Sequence, residues 1–335
     1  MKTDIYEIKQ VDFNLLKTID TSFYCSFDWI SFLQQNQKGK PILLEICSQG
    51  VPIAYFVSVL VKKMGIKVLG SPFEGWLTPD MGFIVLSEID YDKAICSIVD
   101  YSFRKIRCHY VQICDKKINN DIVSIKHKID YTQLLSLDLT KTEEEILNGF
   151  TKNGRRDVRA SQRKGIIVKR VPFNYEFADI YYNQLIDVFA KQGLKPNYKK
   201  EKVYEMVDFL KDNQENVLAL EALNSDGVVV ATVFSFGKNE WAYYVGAASF
   251  RQYQGDLPNE ALFWEFVLFW KSQGIKHLDL MGYRKYKMKY NPAIIEQPRF
   301  IFQKFVGLYS IKKIAHHLIV LVRRIKGCFE SKKQL

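Results

Sequence analysis

The stretch that decides the fold is KTEEEILNGFTKNGRRDVRASQRKGIIVKR, residues 141–170. Thr142 and Glu145 have the spacing of a capping box, which predicts that a helix begins at this point. A second helix is predicted at 153–164, because the residues are polar and a glycine follows them. The β-branched run after that glycine predicts a strand at 166–171. The stretch therefore predicts the order helix, helix, strand.

Basic side chains dominate the second of these helices. Eight Lys or Arg stand against one acid, Asp157, over residues 151–170. Like charges three and four positions apart repel one another on a helix, and the arginine fork fits phosphate bidentately. We interpret the helix as an anion site, with a solvated basic face as the alternative. The candidate substrate-binding residues are Lys152, Arg155, Arg156, Arg159 and Arg163.

The same stretch resembles the Fem family. An acidic helix start, then Phe150, Lys152, the arginines and Arg163-Lys164-Gly165, stand in the family's order before a β-branched strand. Fem proteins are aminoacyl transferases that build peptidoglycan cross-bridges, and they have acyl-CoA-using relatives in the GNAT superfamily. The resemblance implies a mixed α/β fold of two GNAT-like domains side by side. Each would be a mostly antiparallel sheet flanked by helices, and the basic helix would open the second domain.

Size and composition agree with two globular domains. The chain has 335 residues, of which 47% are hydrophobic and 14% aromatic, so it can bury two cores. Its net charge of +11 favours an anionic partner. Nucleic acid, anionic lipid and phosphorylated substrates are all anionic, and the net charge alone does not show which of them the protein binds.

The cysteines and the N-terminus bear on the compartment. Six cysteines show neither CxxC spacing nor a nearby histidine pattern, so we interpret them as buried thiols in a reducing compartment. The N-terminus, MKTDIYEIKQVDF, is too polar for a signal peptide, and no apolar run approaches the roughly 18 residues of a membrane span. We therefore expect a cytoplasmic protein without a structural metal.

The two halves of the chain repeat one order of elements. In the second half we predict further helices at 176–192, 199–212 and 259–274, and strands at 216–223, 228–237 and 240–246. A meander, then a helix, then a strand is the order of a GNAT core. We predict a first GNAT-like domain at 1–140 on the acceptor side, a second at 141–307 on the donor side, and a basic tail at 308–335.

A second motif, QYQGDLPNEALFWEF at 252–266, resembles the donor-binding part of such domains. We expect Asn259 to cap a helix that begins at Glu260, where free N–H groups suit a pyrophosphate or a carboxylate. A GNAT pyrophosphate loop would carry a small residue where Leu257 stands, which weakens the case for coenzyme A and leaves aminoacyl-tRNA open. The candidate donor-binding residues are Gln252, Gly255, Pro258, Asn259 and Glu260.

The catalytic candidates come from the same resemblance. Fem-like proteins carry a Phe-Lys element near a Phe-Gly in this region, and its lysine is placed to stabilise developing charge. Residues 302–307, FQKFVG, contain these residue types with the lysine shifted, so Lys304 is the candidate. Asp279 stands at a predicted strand end, where GNAT active sites are built. An exposed lysine and a backbone-bonding aspartate are the alternatives.

Two further segments are candidates for contact with a partner. The Pro/Gly-rich stretch GSPFEGWLTP, residues 70–79, resembles the substrate-facing loop of the first Fem domain, in which Phe73 and Trp76 would stack on sugar or peptide. A hydrophobic plug is the alternative. Residues 309–327, YSIKKIAHHLIVLVRRIKG, have the pattern of an amphipathic helix that either lies on an anionic membrane or packs on the domain.

The resemblance implies an acyl- or aminoacyltransferase that acts on an amine of a phosphorylated cell-envelope precursor, a muropeptide or a saccharide. Acyl-CoA or aminoacyl-tRNA would be a co-substrate, with no tightly bound cofactor. The partners would be a phosphorylated or lipid-linked precursor, tRNA, and the inner face of the cytoplasmic membrane. The alternatives are a CoA-dependent N-acetyltransferase of polysaccharide biosynthesis and a nucleic-acid-binding protein that uses residues 152–170, although no RNP, KH or helix-turn-helix signature supports the latter.

Overall fold

The structure is a computed structural model that describes residues 5–63, 65–73, 76–118, 125, 127–190, 193–196, 198–307 and 309–310. The predicted tail helix at 309–327 therefore lies outside the described residues, except for its first two positions. Cys328 also lies outside them, and the other five cysteines are buried, as predicted. No helix among the described residues is both long enough and apolar enough to cross a membrane.

The described residues form thirteen strands and seven α-helices. The strands are β1 (Glu7–Val11), β2 (Lys40–Ser48), β3 (Val51–Lys63), β4 (Ile66–Ser71), β5 (Phe83–Val85), β6 (Tyr110–Ile113), β7 (Lys128–Asp138), β8 (Ile167–Val171), β9 (Val217–Leu223), β10 (Val229–Lys238), β11 (Trp241–Ser249), β12 (His277–Asp279) and β13 (Ala293–Gln303). The helices are α1 (Phe27–Gln37), α2 (Tyr91–Tyr101), α3 (Glu143–Gly149), α4 (Lys152–Arg163), α5 (Tyr175–Ala190), α6 (Lys200–Leu210) and α7 (Pro258–Ser272).

The chain folds into two compact units. The first unit contains residues up to Ile19, Trp29–Thr132 and residues from Gln297 onwards, and the second contains Asp20–Asp28 and Gln133–Glu296. This grouping differs from the predicted domains, because 297–307 belong with the first unit and 133–140 with the second. Each half of the chain thus gives part of one strand to the unit built mainly from the other half, residues 133–138 of β7 or 297–303 of β13.

In the first unit the strands lie in the order β1-β2-β3-β4-β6-β13, and β5 pairs with β3. The pair β4–β6 is parallel, whereas the other printed pairs of this unit are antiparallel. A parallel pair needs a crossover connection, and α2 lies in the segment that joins β4 to β6. The apolar face of α2, with Ala94, Ile95 and Ile98, is buried in the same core as residues of β2, β3, β6 and β13.

The second unit has the corresponding order, β8-β9-β10-β11-β12-β7. The pair β11–β12 is parallel and its neighbours are antiparallel, and α7 lies in the connection between the two parallel strands. The two units thus have the same strand order, and in both a crossover helix joins the two strands of the parallel pair. A duplicated domain would give this arrangement. The predicted fold class, two mixed α/β domains with mostly antiparallel sheets, is confirmed.

The local signals in the deciding stretch are confirmed. The Thr142 hydroxyl accepts a hydrogen bond from the Glu145 N–H at 3.2 Å, and the Glu145 carboxylate accepts one from the Thr142 N–H at 2.8 Å, which completes the capping box. Helix α4 begins one residue before the predicted position, and its first turn is capped by Thr151. Its buried face consists of Gly154, Val158 and Ser161.

Gly154 is required by a close backbone approach. A Cβ atom on Gly154 would lie 2.3 Å from the carbonyl oxygen of Lys289, which also accepts hydrogen bonds from the N–H and hydroxyl of Thr151. Gly→Ala within a helix normally stabilises a protein by up to about 1 kcal/mol. We expect Gly154→Ala to lower the free energy of unfolding by about 1–3 kcal/mol instead, because the overlapping atom is backbone. Urea unfolding measures the change.

A matched control for this prediction lies five residues away. Gly149 is the last residue of α3, and a Cβ there would meet nothing within 4 Å. Gly149→Ala should therefore leave the stability unchanged or raise it slightly. Equal effects of the two substitutions would contradict the close packing of α4 on the chain at Lys289.

Candidate active site

A cavity forms in the second unit where two parallel strands diverge. Strand β11 pairs with β12 over residues 241–243, and β12 ends at Asp279. Strand β11 continues to Ser249 and pairs with β10 on its other side. The segment 244–249 has no ladder partner on the β12 side among the described residues, so this part of the strand edge is open.

The cavity has a volume of about 920 Å³. Its apolar wall is formed by α5 and β11, and its polar end by side chains at the start of α7 and on the segment 284–290. Its lining residues are Leu185, Val188, Phe189, Leu194, Tyr244, Ala247, Ala248, Ser249, Gln254, Asn259, Glu260, Arg284, Tyr286, Lys289 and Tyr290. Such a volume, largely apolar with a few polar groups, is typical of a small-molecule site.

Helix α7 begins differently from the prediction. Its first residue is Pro258, and the residue before it, Leu257, has φ 61° and makes no side-chain capping bond. Asn259 is therefore inside the first turn, and the prediction that it caps the helix is wrong. Its amide donates to the Ser249 hydroxyl at 2.9 Å and so joins α7 to the end of β11.

The predicted donor-binding residues divide into two groups. Asn259 and Glu260 line the cavity, together with Gln254, whose amide approaches the Ser249 hydroxyl at 3.4 Å. Gln252 and Gly255 are exposed on the 3-10 turn Arg251–Asp256 and are not among the lining residues, and Pro258 is buried. The predicted donor motif is therefore at the cavity, although the amides that line the cavity are those of Gln254 and Asn259.

A network of charged side chains closes the polar end. The Lys289 ammonium pairs with the Glu260 carboxylate and lies 3.8 Å from the Asp157 carboxylate. Arg156 in turn donates to Asp157 at 2.9 Å. This network fixes the basic helix α4 to the start of α7, so the two motifs that the sequence singled out meet at one place.

Lys287 is a buried cation on the segment that carries the lining residues Tyr286 and Lys289, although it is not itself among the lining residues. Its ammonium donates to the carbonyl oxygens of Leu280 and Met281 at 2.5 and 2.6 Å and lies 5.8 Å from the ring centres of Tyr244 and Tyr286. Burial lowers the pKa of this ammonium to about 8, and the nearby Asp279 carboxylate offsets part of that shift.

Asp279 supports the same segment. Its carboxylate, which is buried, accepts a hydrogen bond from the Met281 N–H at 2.8 Å. Met281 and Gly282 both have positive φ, 55° and 27°, a conformation that needs support from its surroundings. Asp279 and Lys287 thus hold the loop that follows β12 from two sides.

Lys287 was missed by the sequence analysis, although a signal for it exists. Residues 286–291 read Tyr-Lys-Met-Lys-Tyr-Asn. They match a Phe-Lys element near a Phe-Gly if tyrosine stands for each phenylalanine and Asn291 for the glycine. Asn291 has φ 47°, the left-handed conformation that usually takes glycine.

Lys304, the predicted catalytic lysine, is in the first unit. It is exposed at the end of β13, where its N–H donates to the His109 carbonyl at 2.9 Å. Phe73 and Trp76 are also in the first unit and are half-buried, with ring centres 4.6 Å apart. None of the three is among the residues that line the cavity of the second unit.

The α4 arginines take two different roles. Arg155 donates to the carbonyl oxygens of Asn148 and Phe150 and so caps the end of α3. Arg156 is exposed but engages Asp157. Lys152, Arg159 and Arg163 are also exposed, so the basic face of α4 available for an anion consists mainly of these last three side chains.

No protein-family model matches the sequence, and no curated protein sequence matches it. Among solved structures the chain is similar to FemX, with a TM-score of 0.72 and 10% identity over 91% of this chain and 99% of FemX. This chain has the Fem-type fold. The resemblance predicted from the sequence is confirmed at the level of fold.

Two further structures share the Fem-type fold. The L-PGS protein from Bacillus licheniformis has a TM-score of 0.52 and 14% identity over 86% of this chain and 94% of its own. A conserved protein of unknown function from Bacteroides thetaiotaomicron has a TM-score of 0.57 and 11% identity over 89% of this chain and 99% of its own. At these identities the likeness concerns the fold, and the chemistry has to be argued from the residues of this chain.

Proposed function

We propose that this protein transfers an acyl or aminoacyl group from a carrier, acyl-CoA or aminoacyl-tRNA, to an amine. The observation that carries the proposal is the cavity at the start of α7, beside the open edge of β11. The Fem-type fold supports the same class of reaction.

The donor would lie along the open edge of β11. Its carbonyl and amide groups would pair with the backbone of 244–249, and its acyl chain would pack on Tyr244 and Ala247. The start of α7 carries a partial positive charge, and the Asn259 and Gln254 amides lie next to it. This end of the cavity suits the anionic or polar part of the donor.

The acceptor amine would attack the donor carbonyl directly. A C–N bond forms, the bond from the carbonyl carbon to the carrier's sulfur or oxygen breaks, and the amine loses a proton to water as the carrier leaves. Such a step needs positioning and stabilisation of the developing oxyanion more than it needs a strong base. In this account Lys287 supplies the positive charge, in place of Lys304, while Asp279 holds the loop beside it.

This assignment predicts a pH dependence with a defined sign. Because the pKa of Lys287 is about 8, the ammonium form is lost as the pH rises through that value. We expect the transfer rate, corrected for the neutral fraction of the acceptor amine, to fall above pH 8 and to reach about a tenth of its maximum at pH 9 if only the ammonium form of Lys287 is active. A corrected rate that rises across pH 8–9 would instead indicate that neutral Lys287 acts as a base.

The acceptor is proposed to be a phosphorylated or lipid-linked cell-envelope precursor, met at the inner face of the cytoplasmic membrane. The exposed basic face of α4 supports an anionic acceptor, because guanidinium groups bind phosphate well. We propose that Phe73 and Trp76, in the first unit, stack on a sugar or a peptide. A CoA-dependent acetyltransferase acting on a saccharide amine uses the same cavity and differs in its donor.

Charge reversal on α4 tests the anionic acceptor. Arg159→Glu with Arg163→Glu is expected to weaken the binding of a nucleotide-linked muropeptide precursor at least tenfold, measured by titration calorimetry. The free energy of unfolding should change little, because both side chains are exposed. Lys62→Glu with Lys105→Glu makes the same charge change on exposed residues of the first unit. Equal weakening by both double variants would exclude a specific site on α4.

The activity itself is tested by incubating the protein with a mixture of the two donor classes and a nucleotide-linked muropeptide precursor. Mass spectrometry then shows whether the precursor gains an aminoacyl or an acetyl group. If the precursor gains a group from only one donor class, that class contains the carrier. No gain from either class, with a protein that binds neither donor, would contradict the proposal.

A further inference from the structure

Two polar side chains of strand β13 are buried without a partner. Arg299 is 7% exposed and Gln297 is 5% exposed. The Nη1 atom of Arg299 and the Nε2 atom of Gln297 are fully buried and donate to no group in the described part of the chain. A charge that is removed from water without a partner costs folding free energy, so two such donors side by side need an explanation.

Both side chains point to the same face of the first unit's sheet. Phe300 pairs with Ile113 and Ile301 with Gln112 across the β13–β6 ladder. Because side chains alternate along a strand, Gln297, Arg299 and Ile301 share the face of Gln112. Phe300 points the other way, into the core that contains α2. Arg299 therefore lies on the sheet face opposite the crossover helix.

The carboxylates that act on Cys114 together with Arg299 are engaged with other partners. Asp80 pairs with Lys116 at 3.1 Å, and the Asp115 carboxylate accepts hydrogen bonds from the backbone N–H groups of Phe83 and Lys117. The positive charge of Arg299 lowers the pKa of the Cys114 thiol, but burial outweighs this effect and raises the pKa to about 12. The thiol therefore stays neutral. None of these groups makes a direct ion pair with Arg299.

An aromatic loop borders the same face. Gly70 pairs with Gln112, and a Cβ on Gly70 would lie 2.7 Å from the Phe73 ring, so this ring rests on the strand. The Gln112 amide donates to the Pro72 carbonyl at 2.9 Å and fixes the loop there. Since neighbouring strands lie about 4.8 Å apart, the Phe73 ring is roughly 10–15 Å from the Arg299 side chain.

We propose that Arg299 and Gln297 form an oxyanion-binding subsite in the first unit. It takes a phosphate or carboxylate group, and the rest of the ligand packs on Phe73 and Trp76. The guanidinium offers two parallel donors and the amide a third, which suits either group. The subsite rests on the stacking role proposed above for Phe73 and Trp76. It is distinct from the donor cavity and from α4, and binding of an anion there does not require the transfer reaction.

The test compares wild type with Arg299→Met for binding of pyrophosphate and of acetate, by thermal shift and calorimetry at constant ionic strength. We expect wild type to bind at least one probe, and Arg299→Met to bind it at least tenfold more weakly. Tighter binding of pyrophosphate would indicate that the natural ligand carries a phosphate group, and tighter binding of acetate would indicate a carboxylate. Arg299→Lys keeps the charge and loses the fork, so its affinity should be intermediate. Lys105→Met, which removes an exposed cation of the same unit, should bind as wild type does.

Stability gives the second readout. Because Arg299 has no hydrogen-bond or ion-pair partner among the residues that the structure describes, methionine at this position should leave the midpoint of thermal unfolding unchanged or higher. A variant that is unfolded, or that has a clearly lower midpoint, would show that Arg299 stabilises the fold and would overturn the proposal. So would a wild-type protein that binds neither probe, or equal loss of affinity in Lys105→Met.

Discussion

Lys287→Met is expected to slow acyl transfer at least 100-fold while donor affinity changes less than about threefold. In the proposed reaction the ammonium acts on charge that develops in the transition state, and removal of one such donor costs about 10²–10³ in rate. A group that acts on the transition state lowers the rate constant for transfer more than it changes binding of the ground state. Single-turnover kinetics with saturating donor measure the rate separately from affinity.

Lys287 also holds the loop at 280–282, so a structural role has to be separated from the electrostatic one. Lys285→Met removes an exposed lysine two residues away and should leave the rate unchanged. The decline in rate above pH 8 should be absent from the residual activity of Lys287→Met, since the titrating group has been removed. A variant that keeps the wild-type rate, or that keeps the decline, would contradict the assignment.

Ala247→Trp is expected to abolish donor binding, with an affinity loss of at least 100-fold. Ala247 is on the open segment of β11 and lines the cavity, so an indole there occupies the space assigned to the acyl chain. Ala247 also packs against the core of the second unit, so the unfolding midpoint of the variant is measured beside donor binding and has to stay near the wild-type value. Thermal shift with acetyl-CoA and with an aminoacyl-tRNA analogue measures the loss.

The matched control for Ala247→Trp is Ser225→Trp, in the exposed turn between β9 and β10. It adds the same indole to a surface position and should bind donor as wild type does. If Ala247→Trp binds both donors normally, the donor lies elsewhere on the protein.

The elements that could be predicted from the sequence are those with local signals. The capping box at Thr142 and the polar helix before Gly165 each depend on neighbours a few residues apart. Helices α4, α5 and α7 therefore begin and end within two residues of their predicted bounds. The Fem-like order of these elements was enough to predict the fold class.

The rest depends on contacts between distant parts of the chain. The placement of β13 beside β6 and of β7 beside β12 follows from long-range pairing, which alternation along one strand does not reveal. The cap at Asn259 was mispredicted because Leu257 adopts a left-handed conformation and lets the helix begin at Pro258. Lys287 was missed because tyrosine and Asn291 stand where phenylalanine and glycine are expected.

The most direct test of the account is hydrogen exchange, followed by mass spectrometry, with and without acetyl-CoA or an aminoacyl-tRNA analogue. The central claim is that the donor binds along the open edge of β11 and at the start of α7. It predicts that a bound donor slows exchange in peptides that cover residues 244–262, and that Ala247→Trp removes this protection. A donor that binds without slowing exchange in these peptides would contradict the claim.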